Sequence, residues 1–311
     1  MSDPNISKTK VESARLLEWL HQTEARGRAL KQVIPTAKIY VGICGTEVAF
    51  DEFRLSNGLG FVRKVTNPPG SIHVLRAANL ANTDYLAVSR YSSSIRAELA
   101  PGLEPDSETD SLLDVAFHTA ALIKLRHHPN LTCPCFATAS WDVVSAITDN
   151  TVNFGMLDDV PRQVRGAELE AVTEEEMHWV DRVWFIALGL RSVERSRRFG
   201  LAFNVSYVWN QTSDMRLALA SLWCGIEALF GDKRDRPVTR RVIEKICDWL
   251  PVLNADEVED SYNRRCDAVH GRWVENDIIE VVLKADEILR QALLRCIELD
   301  KTPLPDWSPE S

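Results

Sequence analysis

Hydrophobic and polar positions alternate along this chain in two different rhythms, and the change of rhythm divides it. From about Lys8 to Leu30 the stripe Val11, Ala14, Leu17, Leu20 has helical spacing, and Pro35 ends it. Between Lys38 and Ser94 the apolar runs shorten to Ile39–Val41, Val48–Phe50, Leu59–Val62, Ile72–Leu75 and Tyr85–Val88. Turn-forming clusters separate them: Asn57-Gly58, Asn67-Pro68-Pro69-Gly70 and Asn82-Thr83-Asp84. This pattern predicts a strand-rich region. Pro101 to Ser107 reads as a loop. Leu112, Val115, Ala116, Thr119, Leu122 and Ile123 then mark a helix over about Ser111–Arg126. From Thr148 to Thr173 the charge is mixed and the periodicity weak, which predicts a connection between domains.

Beyond Thr173 the rhythm is helical almost throughout. Met177, Val180, Trp184, Ala187 and Leu188 mark one helix, which runs into the basic stretch Arg191–Arg198. Leu217 to Phe230 is apolar nearly all round and is therefore expected at the centre of its bundle. Val238, Val242, Ile246, Trp249 and Leu250 mark a third helix, with Pro237 near its first turn. A fourth covers about Asp256–His270, with Gly271 placed for a left-handed C-terminal cap. The last has Asn276 as N-cap and an inner face from Ile278 to Cys296. Short connections favour antiparallel neighbours in an up-and-down bundle. The predicted fold class is α+β: a strand-rich mixed domain over residues 1–160, for which a sensory or regulatory role is expected, followed by an all-α helical domain over 161–311.

Composition narrows the partners. The 311 residues carry a formal net charge of −9, which disfavours general coating of DNA or RNA. Local basic sites are still available at Arg191–Arg198, Lys233–Arg241 and Arg264–Arg272; the first reads as a solvated helix face. No apolar run is long enough to cross a bilayer, and the polar start Met1-Ser2-Asp3-Pro4-Asn5 lacks a signal-peptide layout. Seven cysteines, several at helical core spacing, fit a reducing compartment better than a disulfide framework. A cytoplasmic protein that does not engage a membrane is expected.

Two features of the helical region carry chemistry. Glu227 is the lone charged residue between Leu217 and Gly231, and a carboxylate in an apolar helix needs a partner or a proton. The second feature is Tyr262-Asn263-Arg264-Arg265-Cys266-Asp267-Ala268-Val269-His270-Gly271, at a helix end whose carbonyls favour cations. Arg265 and His270 lie about 140° apart on an ideal helix. They share one groove only if the helix kinks before Gly271 or a second subunit supplies the opposite wall. Histidine exchanges protons near neutral pH, and arginine offers a fork of donors to a phosphate. Together they suit metal-free cleavage of RNA by its own 2′-hydroxyl.

Tyr262-x-x-Arg265-x-x-x-x-His270-Gly271 resembles the Arg-x-x-x-x-His signature of the HEPN superfamily, and its flanking Tyr and Gly look most like the ApeA-like branch. Ile226-Glu227-Ala228-Leu229-Phe230 is similar to the Leu-Glu-x-Leu-Phe-like element of that branch, and the resemblance spans about residues 174–299. It implies a HEPN-type helical bundle, dimeric, with the Arg/His pairs of two subunits forming one RNA cleft, in defence against phage or as a toxin. Carried over by position, Arg265 holds the scissile phosphate, His270 is the general acid or base, and Glu227 orients or neutralises Arg265. Tyr262, Arg264, Cys266 and Trp273 are expected to support the site or bind RNA. Where many active relatives have Asn, His, Asp or Ser after the arginine, this chain has Cys266, a weak hydrogen-bond donor. The resemblance thus implies an endoribonuclease that needs no metal or cofactor, acting as a homodimer. The alternative is a catalytically inactive RNA-binding or dimerisation module of the same fold.

Other chemistry is less well supported. His127, His128, Cys133 and Cys135 are all metal-ligating residue types, but their spacing matches no usual structural zinc pattern. That stretch is read as a loop entering a strand, and no metal is assigned. Trp184, Trp223 and Trp249 sit at core spacing rather than as base-stacking platforms.

Overall fold

The computed structural model describes residues 39–79, 84–102, 109–126, 128–157, 170–192, 196–212, 214–232, 238–272 and 278–304. The chain packs into two compact units. One combines Met1–Ala116 with Thr132–Asp159, the other Phe117–Leu131 with Val160–Ser311. The architecture is α+β. The expected helix over Lys8–Leu30 lies outside the described residues.

The first unit is built on an antiparallel six-stranded sheet. Its strands are β1 (Tyr40–Cys44), β3 (Glu52–Leu55), β4 (Gly60–Lys64), β5 (Ala97–Pro101), β6 (Thr132–Ala137) and β7 (Phe154–Met156), in the order β3-β4-β5-β1-β6-β7. A short β2 (Glu47–Val48) lies between β1 and β3 in the chain. The central strands are nearly continuous buried runs, as expected where both faces of a sheet are covered. Trp141, Phe154, Ile95, Val74 and Val88 are fully buried in the core cluster of this unit.

Two of the expected strands are helices. Ile72–Leu75 lies in α1 (Ser71–Ala77) and Tyr85–Val88 forms α2. A run of four residues has no period of its own, so burial decides. Val74 and Ala77 turn inward three residues apart, as do Tyr85 and Val88. The N-terminus of α1 is closed by His73, whose Nδ1 accepts the backbone N–H of Gly70 at 3.2 Å. Conversely, β5 and β7 arise in stretches whose patterns did not announce strands. Strand β5 carries a glutamate at its second position, and β7 is three residues long inside the expected inter-domain connection.

That glutamate, Glu98, is 0% exposed. It faces Arg63 across the β4–β5 ladder. Its carboxylate accepts from Arg63 Nε at 2.5 Å, from Ser140 Oγ at 3.0 Å and from the backbone N–H of Trp141 at 2.7 Å. Burial raises the pKa of Glu98 above its ordinary value, against the lowering by Trp141, Arg63 and Ser140.

The second unit is helical. The latter half of α3 (Thr109–Leu125) belongs to it, followed by a short β8 (Ala171–Val172), α4 (Glu174–Arg191), α5 (Arg197–Val208), α6 (Met215–Phe230), α7 (Val238–Trp249), α8 (Ala255–Val269) and α9 (Ile278–Leu299). Helix α4 starts with a reciprocal cap between Thr173 and Glu176. Helix α5 was hidden in the sequence by its basic start. Phe199, Ala202, Phe203, Ser206 and Tyr207 form its buried face. Helix α6 is central, and an added Cβ at Gly225 would lie 3.1 Å from Leu289 Cδ2 and 3.2 Å from Val205 Cγ1. The glycine is what lets α5 and α9 approach so closely. Among the described residues no helix is long and apolar enough to cross a membrane.

Two buried polar groups tie α3 to its neighbours within this unit. Lys124 Nζ donates to Tyr207 O at 2.6 Å and to Asn210 Oδ1 at 2.7 Å. His118 has its Nε2 3.0 Å from Trp184 O and its Nδ1 2.8 Å from Arg191 Nη1. An arginine only donates, so Nδ1 accepts and the proton sits on Nε2, directed at the carbonyl. The ring is therefore neutral. Burial lowers its pKa to about 4, with Arg191 adding to the shift and the Trp184 carbonyl opposing it.

The sign of the resulting pH dependence is fixed. Between the ordinary histidine pKa of about 6.5 and the folded value, the unfolded chain holds a proton that the folded chain refuses. Stability is expected to fall as pH drops from 6.5 to about 4, by on the order of 2–3 kcal/mol from this group. Urea denaturation at pH 7 and pH 4.5 checks it. His118→Gln keeps a donor and an acceptor without titrating and should flatten the slope; an unchanged slope would assign the acid sensitivity elsewhere.

Candidate functional site

Helix α6 sets the geometry of the site. Leu222, Trp223, Ile226, Leu229 and Phe230 are all buried, leaving Glu227 at the edge of the apolar face with its side chain 29% exposed. Helix α8 packs alongside and brings Arg265 to it. Arg265 Nη2 lies 3.5 Å from Glu227 Oε2, and the arginine side chain is 22% exposed. The lone carboxylate of α6 is thus answered by Arg265.

Aromatic packing positions this pair. Trp223, fully buried, meets the Tyr262 ring edge-on at 5.2 Å between centroids. The Arg265 guanidinium lies over that same tyrosine, 5.7 Å from its ring centre. Burial works against the charge of Arg265, but Glu227, Cys266 and Tyr262 together outweigh it, so the pKa of the guanidinium is raised. Its Nε is shut off from solvent and makes no hydrogen bond among the described residues. Arg265 is thus a half-buried cation with only part of its donor capacity used.

The neighbours of Arg265 have separate roles. Arg264 is exposed and pairs with Asp260 one turn back, Nε to Oδ1 at 3.3 Å. Cys266 is partly buried next to the pair. The helix ends in a Schellman cap: Arg272 N–H reaches Asp267 O at 2.9 Å, Gly271 N–H reaches Ala268 O at 3.3 Å, and Gly271 has φ +71°. Nothing lies within 4 Å of a Cβ added at Gly271, so its conformation and not its space calls for glycine.

His270 is the C-cap residue of α8 and is exposed. Its backbone N–H still bonds to Cys266 O at 3.0 Å, so the helix runs on regularly to the cap without the kink that would swing His270 towards Arg265. Among the described residues no hydrogen bond, ion pair or ring contact holds the His270 ring. One copy of the chain therefore brings together Glu227, Arg265 and Tyr262, and His270 makes no contact with them. Trp273 lies outside the described residues.

Other sequence candidates find different roles. Arg191–Arg198 is not simply a solvated face. Arg191 holds His118 and stacks on Phe203, 5.0 Å from its ring centre. Arg198 is buried and donates to Ala228 O at 2.9 Å and Gly231 O at 2.7 Å, closing the C-terminal end of α6. No pattern separates Arg198 from the exposed Arg197 in the sequence; the apolar period Phe199–Phe203 that buries it is the missed signal. His128 bonds to Glu176 Oε1 at 3.2 Å. Cys133 and Cys135 are both buried in β6, and His127 lies outside the described residues.

Compared with protein-family models, curated proteins and solved structures, the chain matches none.

The Glu227–Arg265 pair is long and partly exposed, so its contribution to stability is small. Glu227→Gln is expected to lower the unfolding free energy by less than about 1 kcal/mol. Removing the fully buried ring in Trp223→Ala should cost about 3–5 kcal/mol. Chemical denaturation of both variants measures the contrast, and a loss of several kcal/mol in Glu227→Gln would make the pair structural.

Proposed function

We propose that the helical unit is a HEPN-type domain, and that the protein is an endoribonuclease acting without a metal as a homodimer. The observation that carries this reading is the seating of Arg265: half-buried, held by Glu227 from a second helix and by Tyr262, with donors still unused. An arginine held in this way presents a fixed fork to a phosphate. His270 sits five positions on, exposed to solvent.

In the proposed reaction one histidine removes the proton of the RNA 2′-hydroxyl as that oxygen attacks the adjacent phosphorus. The bond from phosphorus to the 5′-oxygen breaks, and a second histidine gives that oxygen a proton. The products are a 2′,3′-cyclic phosphate and a 5′-hydroxyl. Arg265 neutralises the charge that grows on the phosphoryl oxygens, and Glu227 fixes its direction. Two histidines require two copies of the chain. Pairing is also supported by Leu217 on α6 and Val269 on α8, which are 59% and 54% exposed on the helices that carry the Arg265–Glu227 pair. A role in phage defence or as a toxin, with the first unit regulating the nuclease, follows from the same resemblance.

A second reading keeps the fold but not the chemistry: an RNA-binding or dimerisation module. The observation favouring it is that no group among the described residues orients the His270 ring, where a general base is ordinarily held by a partner.

Expression in a bacterial host separates the two. The wild type is expected to arrest growth and to leave cyclic-phosphate ends on cellular RNA, with cleavage by the purified protein persisting in EDTA. Arg265→Ala and His270→Ala should each cut the cleavage rate by at least about a hundredfold. RNA binding lost in Arg265→Ala but intact in His270→Ala, with no cleavage by the wild type, would support the binding module instead.

A further inference from the structure

The helical unit also contains a cavity of about 650 Å³, lined by none of the residues of the Arg265 site. This is within the usual size range of small-molecule sites. Its walls are mainly aliphatic: Val183 and Ile186 from α4, Leu294 and Ile297 from α9, and Leu250 just past α7. Among the described residues its charged groups are three arginines, Arg126, Arg182 and Arg295, against the single carboxylate of Glu298. Glu298 is already taken by Arg295, Oε2 to Nη1 at 2.8 Å. Three arginines against one glutamate leave an excess of two positive charges, in a chain whose net charge is −9.

The two remaining arginines are not satisfied by the protein. Among the described residues the side chains of Arg126 and Arg182 form no hydrogen bond or ion pair. Arg126 instead lies on Trp179, 5.1 Å from the ring centre, with its Nε closed off from solvent and without a partner. An arginine packed on an indole is aimed and partly desolvated, which strengthens its attraction for an anion. The same stack occupies one face of the indole, the one aromatic ring among the described lining residues, which leaves a flat base little to stack on. An aliphatic chain, by contrast, finds five apolar side chains.

We infer that this cavity binds a small amphiphilic carboxylate, with an aliphatic tail against Val183, Ile186, Leu250, Leu294 and Ile297 and an acidic head between Arg126 and Arg182. The carboxylate matches the guanidinium fork, and the tail removes apolar surface from water. Nothing in this assignment depends on the nuclease reading.

Isothermal titration of the full chain with hexanoate, octanoate and decanoate, all below their micellar concentrations, tests it. Each methylene carries about 0.8 kcal/mol, so affinity should rise about fourfold per methylene, or about fifteenfold from hexanoate to octanoate. Octylamine, with the same tail and the opposite charge, should not bind. Arg182→Gln, at an exposed position, should weaken octanoate severalfold without affecting folding, and Arg126→Gln should weaken it at least tenfold. If Arg126→Gln does not fold, Arg182→Gln alone decides. The inference is overturned if no carboxylate binds saturably, if chain length does not matter, if octylamine binds as well as octanoate, or if the folded arginine variants bind octanoate unchanged.

Discussion

A helix that is apolar nearly all round must lie at the centre of its bundle, and any charge on it must be answered from outside. That constraint on α6 organises the helical unit. Its buried face receives α5 and α9, and Gly225 allows the close approach. Its C-terminal end is served by two arginines from different helices. Arg198 of α5 takes the carbonyls of Ala228 and Gly231, and Arg265 of α8 answers Glu227. Cations at a helix C-terminus are favoured by its dipole, so both arginines sit where the field of α6 helps them. The difference between the two is exposure. Arg198 is closed in and structural, whereas Arg265 keeps an opening to solvent and part of its donor capacity.

The helical unit was largely legible in the sequence because its stripes are long. Met177 to Leu188, Leu217 to Phe230 and Ile278 to Cys296 each cover several turns, and the helices appear there. Gly271 takes the left-handed cap its position suggested, with φ +71°. Glu227 was recognisable as a group needing a partner, and Arg265 provides one, because a lone charge in an apolar run has few ways to be satisfied. Helix α5 was missed because two arginines open it, and one of them is buried against carbonyls that only the folded chain assembles. Sequence pattern treats such an arginine as surface.

The first unit was less legible, for a physical reason. Four-residue runs such as Ile72–Leu75 and Tyr85–Val88 carry too little period to distinguish strand from helix, and packing made both helical. Strand β5 was obscured by Glu98, a glutamate that pairs across the sheet with Arg63 and is fully buried. The cavity near Arg126 was invisible in the sequence, since its arginines come from three distant segments.

The proposed nuclease rests on an asymmetry within α8. Arg265 is positioned by Glu227 and Tyr262, while His270, beyond a regular last turn, is not. On that proposal a single chain holds half of a catalytic constellation, and a second copy completes it. The most direct measurement is the specific activity of the purified protein towards RNA across a dilution series, with sedimentation reporting the oligomeric state at each concentration. The account predicts that specific activity falls with dilution in step with the loss of dimer. Undiminished RNA cleavage by a species shown to be monomeric would contradict it.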